Sequence, residues 1–228
     1  MCPRVASWPG RTASVPVTAR TLLLSCAVLL CTACSRVVGG TALPVFGASP
    51  EAKPHAPGVA VDAVLLDQSR MRAITGAGDD LTIIPTMDIS YPVDIDDLAQ
   101  TAPPQCRFIY AETATFGPDV EEFHKTTFQD PPDGALISEA AAAYRDVDSA
   151  RRAFEALVAN VADCAASSTG WLFIGNWRTD GESLQLRPGD CGRDYRAQSA
   201  ALLEVTFCGF AESVSDIVMT NIAANVPE

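Results

Sequence analysis

Four cysteines beyond residue 100 restrict the fold of this chain more than any other feature. They are Cys106, Cys164, Cys191 and Cys208, with separations of 58, 27 and 17 residues. No two of them form a CxxC pair, so the spacing does not indicate a zinc site. An even number of such cysteines favours two disulfides if the chain folds in an oxidising compartment, and three pairings are possible in principle.

The segment between Cys191 and Cys208 favours one of these pairings. Strand-like flanks surround a polar and small centre, Gln198-Ser199-Ala200. In a hairpin that turns at Ser199 and Ala200, residues whose numbers sum to 399 face each other, and Cys191 then faces Cys208 across the strands. The pair Cys106–Cys164 follows by elimination.

The N-terminal region resembles the signal of a bacterial lipoprotein. Three arginines precede an apolar run of nine residues, Leu22 to Leu30, and the small residues Thr32 and Ala33 lead into Cys34. A membrane-spanning helix needs roughly 20 apolar residues, so a cleaved signal is favoured over a permanent span. We predict a signal peptide over residues 1–33 and acylation of Cys34, which would anchor the protein on the outer face of the cell membrane.

Two other readings of this region remain open. Cys26 also follows a suitable local sequence, but acylation there would leave only Leu22 to Ser25 as the apolar region. An ordinary secreted protein, cut after an Ala-x-Ala-like site, is the second alternative.

Composition divides the rest of the chain into a spacer and one domain. Residues 34–60 are rich in Gly, Ala and Pro without apolar periodicity, which predicts a flexible tether. Residues 61–228 are long enough for one domain with a sizeable core. The chain has 28 acidic against 16 basic residues and a formal net charge of −12. Such a surface repels phosphate backbones, so nucleic acid is not an expected partner.

Apolar spacing predicts three helices in the domain. The first covers Val61 to Ile74 and stops at Gly76. The second begins after Asp146 or Asp148, runs to about Ala165, and carries an apolar stripe. Near the end, Ser213-Val-Ser-Asp216 resembles a capping box that opens the third.

Short apolar segments between these helices predict strands. Helices that alternate unevenly with hairpin-linked strands indicate an α+β domain, in which helices pack on a mainly antiparallel sheet. The predicted strands are Cys106–Ala111, Ile137–Tyr144, Trp171–Trp177, Ser183–Leu186 and the two arms of the 191–208 hairpin.

Residue types that commonly carry catalysis or bind metals are scarce. The two histidines are His55, in the spacer, and His124, in Glu121-Glu-Phe-His-Lys. A charged surface patch on a loop or helix end explains the latter better than a metal site, because no HExxH pattern is present. The acidic run from Asp94 to Asp97 lacks the glycine of an EF-hand loop, since Ala99 stands at that position. We expect no cofactor, no metal and no enzymatic activity.

Three aromatic residues suggest a binding cleft. Trp171, Phe173 and Trp177 would share one face of a strand, with Gly175 leaving a gap between them. They could line an apolar cleft for a lipid or glycan, although simple core packing explains large aromatic residues more often.

A series of short features follows a fixed order along the domain. It consists of Leu65-Leu66 through Ile74-Thr-Gly76, Pro103-Pro104-x-Cys106, Asp148-Ser-Ala-Arg closed by Cys164, Trp171 and Trp177, Asp190-Cys191, Cys208-Gly209 and a terminal helix. This order resembles the extracellular sensor domain of the mycobacterial Ser/Thr receptor kinase PknH, and lipoproteins that carry this domain alone, over about residues 65–226. The resemblance implies a twisted, mainly antiparallel sheet with packed helices, two disulfides and a cleft for an unidentified ligand.

These observations lead to one main hypothesis and two alternatives. The main one is a membrane-anchored extracytoplasmic domain that senses or binds a small molecule, lipid, glycan or protein of the cell envelope. The alternatives are a hydrolase or transferase that uses carboxylates alone, and a structural envelope protein that works through protein contacts. Raised carboxyl pKa values around one pocket would favour the enzyme, and a large exposed apolar patch would favour the structural protein.

Overall fold

The computed structural model describes residues 58–228. The predicted signal peptide over residues 1–33, the acylation site Cys34, and the predicted tether up to residue 57 lie outside the described residues. Among residues 58–228, none of the helices combines the length and the apolar composition needed to span a bilayer.

Seven strands form one sheet in which every pair of neighbours is antiparallel. The strands are β1 (Thr82–Ile83), β2 (Glu122–Asp130), β3 (Ala135–Ala143), β4 (Asn176–Thr179), β5 (Ser183–Arg187), β6 (Cys191–Gln198) and β7 (Ala201–Cys208). Their order across the sheet is β1-β2-β3-β7-β6-β5-β4. The predicted α+β class with an antiparallel sheet is confirmed.

Helices cover both faces of this sheet. On one face, which we call the closed face, α1, α2 and α7 bury an apolar core against the sheet. On the other, which we call the cleft face, α4, α5, α6 and a 3-10 helix at Pro104–Tyr110 contribute to a second core. The helices are α1 (Val61–Val64), α2 (Gln68–Thr75), α3 (Asp96–Ala99), α4 (Glu112–Phe116), α5 (Val147–Ala166), α6 (Trp171–Ile174) and α7 (Glu212–Asn225).

The β6–β7 hairpin has the register that the sequence predicts. Gln198 pairs with Ala201 and Cys191 pairs with Cys208, so every facing pair sums to 399. Ser199 takes a positive φ of 52°, which the first central residue of a tight two-residue hairpin turn requires. Cys191 and Cys208 are bonded to each other. The second disulfide joins Cys106 and Cys164, so both predicted pairs are confirmed.

Helix α5 also follows from its sequence. The Asp146 side chain accepts a hydrogen bond from the Ser149 backbone N–H and thereby caps the helix, an interaction that contributes about 1 kcal/mol in proteins. Four residues at helical spacing are buried against the cleft face of the sheet. They are Ala150, Phe154, Leu157 and Val161.

Two of the other helix predictions need correction. The predicted helix from Val61 to Ile74 is broken into α1 and α2. The break occurs because the Leu66 N–H donates to the carboxylate of Glu139 instead of a helical carbonyl, and Asp67 then caps α2. The third helix begins at Glu212, and no side chain caps it, so the Ser213 capping box is wrong.

Two predicted strands are wrong as well. Residues 106–110 belong to the 3-10 helix that begins at Pro104, where the fixed φ of proline suits the first turn of a helix. The predicted strand Trp171–Trp177 is instead the short helix α6 followed by β4. Gly175, with a φ of 57°, separates them, and the added Cβ of any other residue would collide with the Arg187 carbonyl.

Candidate functional site

A cleft of about 480 Å³ opens on the cleft face of the sheet, beyond the part that α5 covers. Pockets of roughly 300–1,000 Å³ typically hold small-molecule ligands in proteins. Side chains of four neighbouring strands form its floor, and the segment between β1 and the 3-10 helix forms one wall. The cleft is therefore assembled from parts of the chain that are distant in sequence.

The floor of the cleft is polar. Arg193, Thr206, Ser138 and Thr127 lie opposite one another on β6, β7, β3 and β2, so they form one row across four strands. Thr127 and Ser138 share a hydrogen bond of 2.9 Å between their hydroxyl oxygens. The row interrupts a sheet face that is otherwise largely apolar, because Ala140, Ala142 and Leu202 of the same face are buried under helices.

The wall of the cleft is apolar and exposed. Met87, Val93, Ile95 and Leu98 line the cleft and keep between 36% and 50% of their surface accessible. We call residues 85–98 the wall segment. Large apolar side chains that converge on one concavity, instead of being scattered singly, are typical of a binding site.

Hydrogen bonds along its length fix the wall segment. Ile89 pairs with Lys125 of β2 through two backbone hydrogen bonds of 2.9 Å. The Val93 N–H donates to Glu112 Oε2 at 2.8 Å, and Thr113 donates its N–H and hydroxyl to the carboxylate of Asp94. The wall segment thus continues the sheet edge after β1, interrupted by the 3-10 turn Pro85–Met87 that places Met87 in the cleft.

A partly buried ion pair joins α4, which holds the wall segment, to the floor. The Lys125 ammonium contacts Glu112 Oε1 at 2.6 Å, and the two side chains are only 12% and 17% exposed. The same Glu112 carboxylate holds the Val93 backbone through its other oxygen. Because both charges are paired, neither is available to a ligand without breaking this contact.

The disulfide Cys106–Cys164 positions the remaining side of the cleft. It bonds the 3-10 helix Pro104–Tyr110 to the last turns of α5, and both cysteines are fully buried. Phe108, Ile109 and Tyr110 of this 3-10 helix line the cleft. At the other end, Cys208 of the second disulfide lines it. One disulfide therefore borders the candidate site directly, and the other anchors the 3-10 helix that lines it.

His124 connects the wall segment to the closed face. It lies on β2, so the prediction of a loop or helix end for this residue is wrong. Its Nδ1 is 2.6 Å from Asp62 of α1, and its Nε2 is 2.9 Å from Asp88 of the wall segment. A neutral imidazole has a single N–H, so only the imidazolium can donate to both carboxylates. The hydrogen bond from His124, followed by one from Thr126, lowers the pKa of Asp88.

The residues nearest to a metal-site pattern do not form one. Glu121 and Glu122 are exposed, and His124 is held by two aspartates. Within residues 58–228, no group of three or more His, Cys, Asp or Glu side chains has an arrangement suited to a metal ion.

The three aromatic residues predicted to line a cleft lie elsewhere. Trp171 is 66% exposed on α6, and Phe173 and Trp177 pack at the margin of the cleft-face core. None of the three is among the residues that line the 480 Å³ cleft. Phe173 meets Tyr110 edge to face, with ring centroids 6.5 Å apart, so it supports the cleft from behind.

Sequence reasoning missed the residues that do line the cleft, although one signal was present. The hairpin rule that pairs Cys191 with Cys208 also pairs Arg193 with Thr206, on the same face of the sheet. A charged residue on a strand that faces a core is unusual and marks a candidate functional position. No sequence signal marks the wall segment as part of a cleft, because its position depends on pairing with β2, a strand that the sequence does not predict.

Buried carboxyl groups with raised pKa values lie on the closed face, away from the cleft. Burial raises the pKa of Glu139 to about 8, although the hydrogen bond from Leu66 opposes the shift. Burial also raises the pKa of Asp194, although its ion pair with Arg187 and its hydrogen bond from Ser215 of α7 lower it. Both groups hold helices of the closed face on the sheet, so their positions are explained by the fold.

Comparison with known proteins identifies a family and a related solved structure. Residues 56–226 match the family described as PknH-like extracellular domain. The crystal structure of the extracellular domain of PknH from Mycobacterium tuberculosis superposes with a TM-score of 0.55 at 13% sequence identity, over 72% of this chain and 93% of that one. Among curated proteins there is no significant match. Since the family match covers well over half of the sequence, the chain belongs to the family of PknH-like extracellular domains.

Proposed function

We propose that this protein is an extracytoplasmic binding domain of the sensor type, which takes a small molecule of the cell envelope into the cleft between the wall segment and the sheet. The observation that carries the proposal is the convergence of exposed apolar side chains on a polar floor. The floor and wall are fixed by hydrogen bonds, an ion pair and two disulfides, so the site is formed before a ligand arrives.

The proposal includes a membrane anchor. The sequence before Cys34 supports it, and the family supports a location outside the cytoplasm. Replacing Cys34 with Ala should move the protein from the membrane fraction to the soluble extracytoplasmic fraction and abolish acyl labelling. Retention on the membrane with acyl label would move the anchor to another residue.

Binding explains the cleft better than catalysis or a purely structural role. The buried carboxyl groups with raised pKa values lie on the closed face, whereas a carboxylate enzyme needs them in its pocket. The exposed apolar residues of the wall line a concavity, whereas a structural protein would present them on an open patch.

Ligand retention tests this function. Native mass spectrometry of the protein purified from its own envelope should show an added mass that denaturation releases. Leu98→Glu should lose this mass, because it places a charge on the apolar wall. Ile217→Glu is the matched control, since Ile217 on α7 is 46% exposed and Leu98 is 45% exposed. The proposal is wrong if no mass is retained and no envelope lipid, glycan or peptide extract raises the melting temperature.

A further inference from the structure

Arg193 is a charged residue of the cleft whose N–H donors are available to a ligand. It lines the cleft, and 24% of its side chain is accessible. Among residues 58–228, no carboxylate lies within hydrogen-bond distance of its guanidinium: Glu204 Oε1 is 3.9 Å away, and the Tyr195 hydroxyl is another polar neighbour. The other positive charge of the cleft, Lys125, is already paired at 2.6 Å. A guanidinium carries five N–H donors, so a ligand can occupy them.

Arg187 shows how this chain treats an arginine that only supports the fold. On the closed face, its guanidinium lies 2.7 Å from Asp194 and 2.8 Å from Glu212, and it covers the ring of Phe207. Two carboxylates in direct contact thus neutralise the charge of Arg187. Arg193 has only one carboxylate nearby, at 3.9 Å.

Glu204 compensates the charge of Arg193 without blocking it. Its side chain is only 2% exposed, and the Thr206 hydroxyl donates to it. The Tyr195 hydroxyl is buried beside the guanidinium and can turn its oxygen towards it. Glu204 also lines the cleft, but only 2% of its side chain is accessible against 24% for Arg193, so the positive charge presents more surface to a ligand.

The charge of Arg193 lies next to the apolar wall of the cleft. Met87, Val93, Ile95 and Leu98 belong to the same cleft as Arg193. A ligand that satisfies both surfaces needs an anionic group for the guanidinium and a hydrocarbon part for the wall. A volume of about 480 Å³ suits one hydrocarbon chain with a small head better than a lipid with several chains.

We propose that the cleft binds a single-chain anionic amphiphile, whose carboxylate or phosphate head pairs with Arg193 and whose chain lies along the wall segment. This inference rests on the proposed function, since it names the ligand class of the same cleft. The planar fork of arginine matches both kinds of head, because each presents two oxygens to parallel N–H donors.

Four probes with the same chain separate head from tail. Calorimetric titration of the purified protein would use dodecanoate, dodecyl phosphate, dodecan-1-ol and dodecyltrimethylammonium, each below its aggregation concentration. One or both anions should bind roughly 10- to 100-fold more tightly than the alcohol, and the cation should bind no more tightly than the alcohol. The tighter of the two anions identifies the head as a carboxylate or a phosphate.

Variants assign the preference to Arg193. Arg193→Gln should reduce the affinity for the anions to that for the alcohol and leave the affinity for the alcohol unchanged. Arg193→Lys should restore part of the preference, since it keeps the charge without the fork. Arg178→Gln, on the exposed strand β4, is the control and should change nothing. If Arg193→Gln fails to fold because Glu204 loses its counter-charge, the double variant with Glu204→Gln keeps the floor neutral and should show the same loss.

The outcomes separate this inference from the function on which it rests. Equal binding of all four probes, or an anion preference that survives Arg193→Gln, overturns the assignment of the head group and leaves a binding cleft. Failure of every probe, while the protein retains another mass from its own envelope, overturns the amphiphile and leaves the proposed function. Failure of every probe together with an empty native spectrum overturns both.

Discussion

The two faces of the sheet are covered in different ways. On the closed face, α2 and α7 are regular helices of 8 and 14 residues, and buried carboxyl groups on the sheet fix the covering elements. The cleft face has one long helix, α5, and otherwise only short helices among the described residues: α3, α4, α6 and the 3-10 helix. Short pieces bury little apolar surface, and both disulfides lie on this face.

This difference indicates how the chain keeps a cleft open without losing stability. A face that is fully covered is stabilised by its own packing. A face that must leave polar side chains accessible gives up some of that burial, and covalent bonds that constrain the unfolded chain compensate for it. We therefore expect cleft-face and closed-face substitutions to affect stability and binding differently.

Removing the disulfide Cys106–Cys164, which anchors the 3-10 helix beside the cleft, should have the largest effect on stability. Cys106 and Cys164 close a loop of 58 residues, and the chain-entropy model gives about 4 kcal/mol for such a loop. The double variant C106A/C164A should lose about that much free energy of unfolding in urea denaturation. Ligand binding should weaken at the same time, because the 3-10 helix that lines the cleft loses its anchor.

The second disulfide provides the comparison. C191A/C208A opens a loop of only 17 residues, for which the same model gives about 3 kcal/mol, and the hairpin ladder remains to hold the strands together. Its effect on binding should therefore be smaller than that of C106A/C164A. Equal losses of binding in the two variants would contradict a special role for the 3-10 helix.

Breaking the buried ion pair of the closed face should cost somewhat less and leave binding intact. Asp194 is 3% exposed, contacts Arg187 at 2.7 Å and accepts from Ser215 of α7. Asp194→Ala should lower the free energy of unfolding by roughly 3 kcal/mol, since it leaves a partly buried guanidinium without this partner. Arg151→Gln, which removes only exposed ion pairs of α5, should cost less than about 0.5 kcal/mol.

Glu139 should make stability depend on pH. Burial raises its pKa to about 8, so the folded state holds a proton that the unfolded state releases above about pH 4.5. The free energy of unfolding should fall as pH rises from about 4.5 to 8 and level off above that. Glu139→Gln should remove this slope and gain roughly 2 kcal/mol at pH 8. The pKa shift alone is worth about 4 kcal/mol, and burial of the amide NH2 where Oε2 has no partner offsets about half of it. The amide oxygen can still accept from Leu66.

A pH titration of unfolding by urea measures this slope in both proteins. Asp67, whose charge also raises the pKa of Glu139, is exposed, so Asp67→Asn should change the slope only slightly. An unchanged slope in Glu139→Gln would mean that another group carries the pH dependence.

The sequence predicts those parts of the fold whose signals are local. The hairpin register follows from a turn and two cysteines, and α5 follows from its apolar spacing and its Asp146 cap. The strand β2 has no clear local signal, because Glu122 to Asp130 contains few apolar residues. Three of its polar residues have specific partners instead: His124 contacts Asp62, Lys125 pairs with Glu112, and Thr127 shares a hydrogen bond with Ser138.

Local sequence patterns do not predict the cleft, for a related reason. Its wall forms only when Ile89 pairs with Lys125 of β2, and its remaining side only when Cys106 bonds to Cys164, 58 residues further along the chain. The predicted strands at Cys106 and Trp171 failed for the same reason, since short apolar runs do not distinguish a strand from a helical turn. The backbone geometry of Pro104 and Gly175 makes these two segments helical.

The smallest expected effect tests the link between the two faces. His124 joins Asp62 of the closed face to Asp88 of the wall segment. The hydrogen bond from His124 lowers the pKa of Asp88, so its contribution to stability is present above the unfolded pKa and is lost as pH falls through the folded one. Asp88→Asn should cost at most about 1 kcal/mol near neutral pH, because 43% of the side chain is exposed and solvent screens the pair.

Asp62→Asn is the matched control, because it releases α1 and leaves the wall segment attached. If the wall segment shapes the cleft, Asp88→Asn should weaken ligand binding severalfold, whereas Asp62→Asn should change stability alone. Both variants are compared at pH 7 and pH 5, by urea denaturation and by calorimetric titration with whichever of dodecanoate and dodecyl phosphate binds more tightly. A loss of binding in Asp62→Asn equal to that in Asp88→Asn would show that the closed face is coupled to the cleft through His124, and the two faces would then be one functional unit.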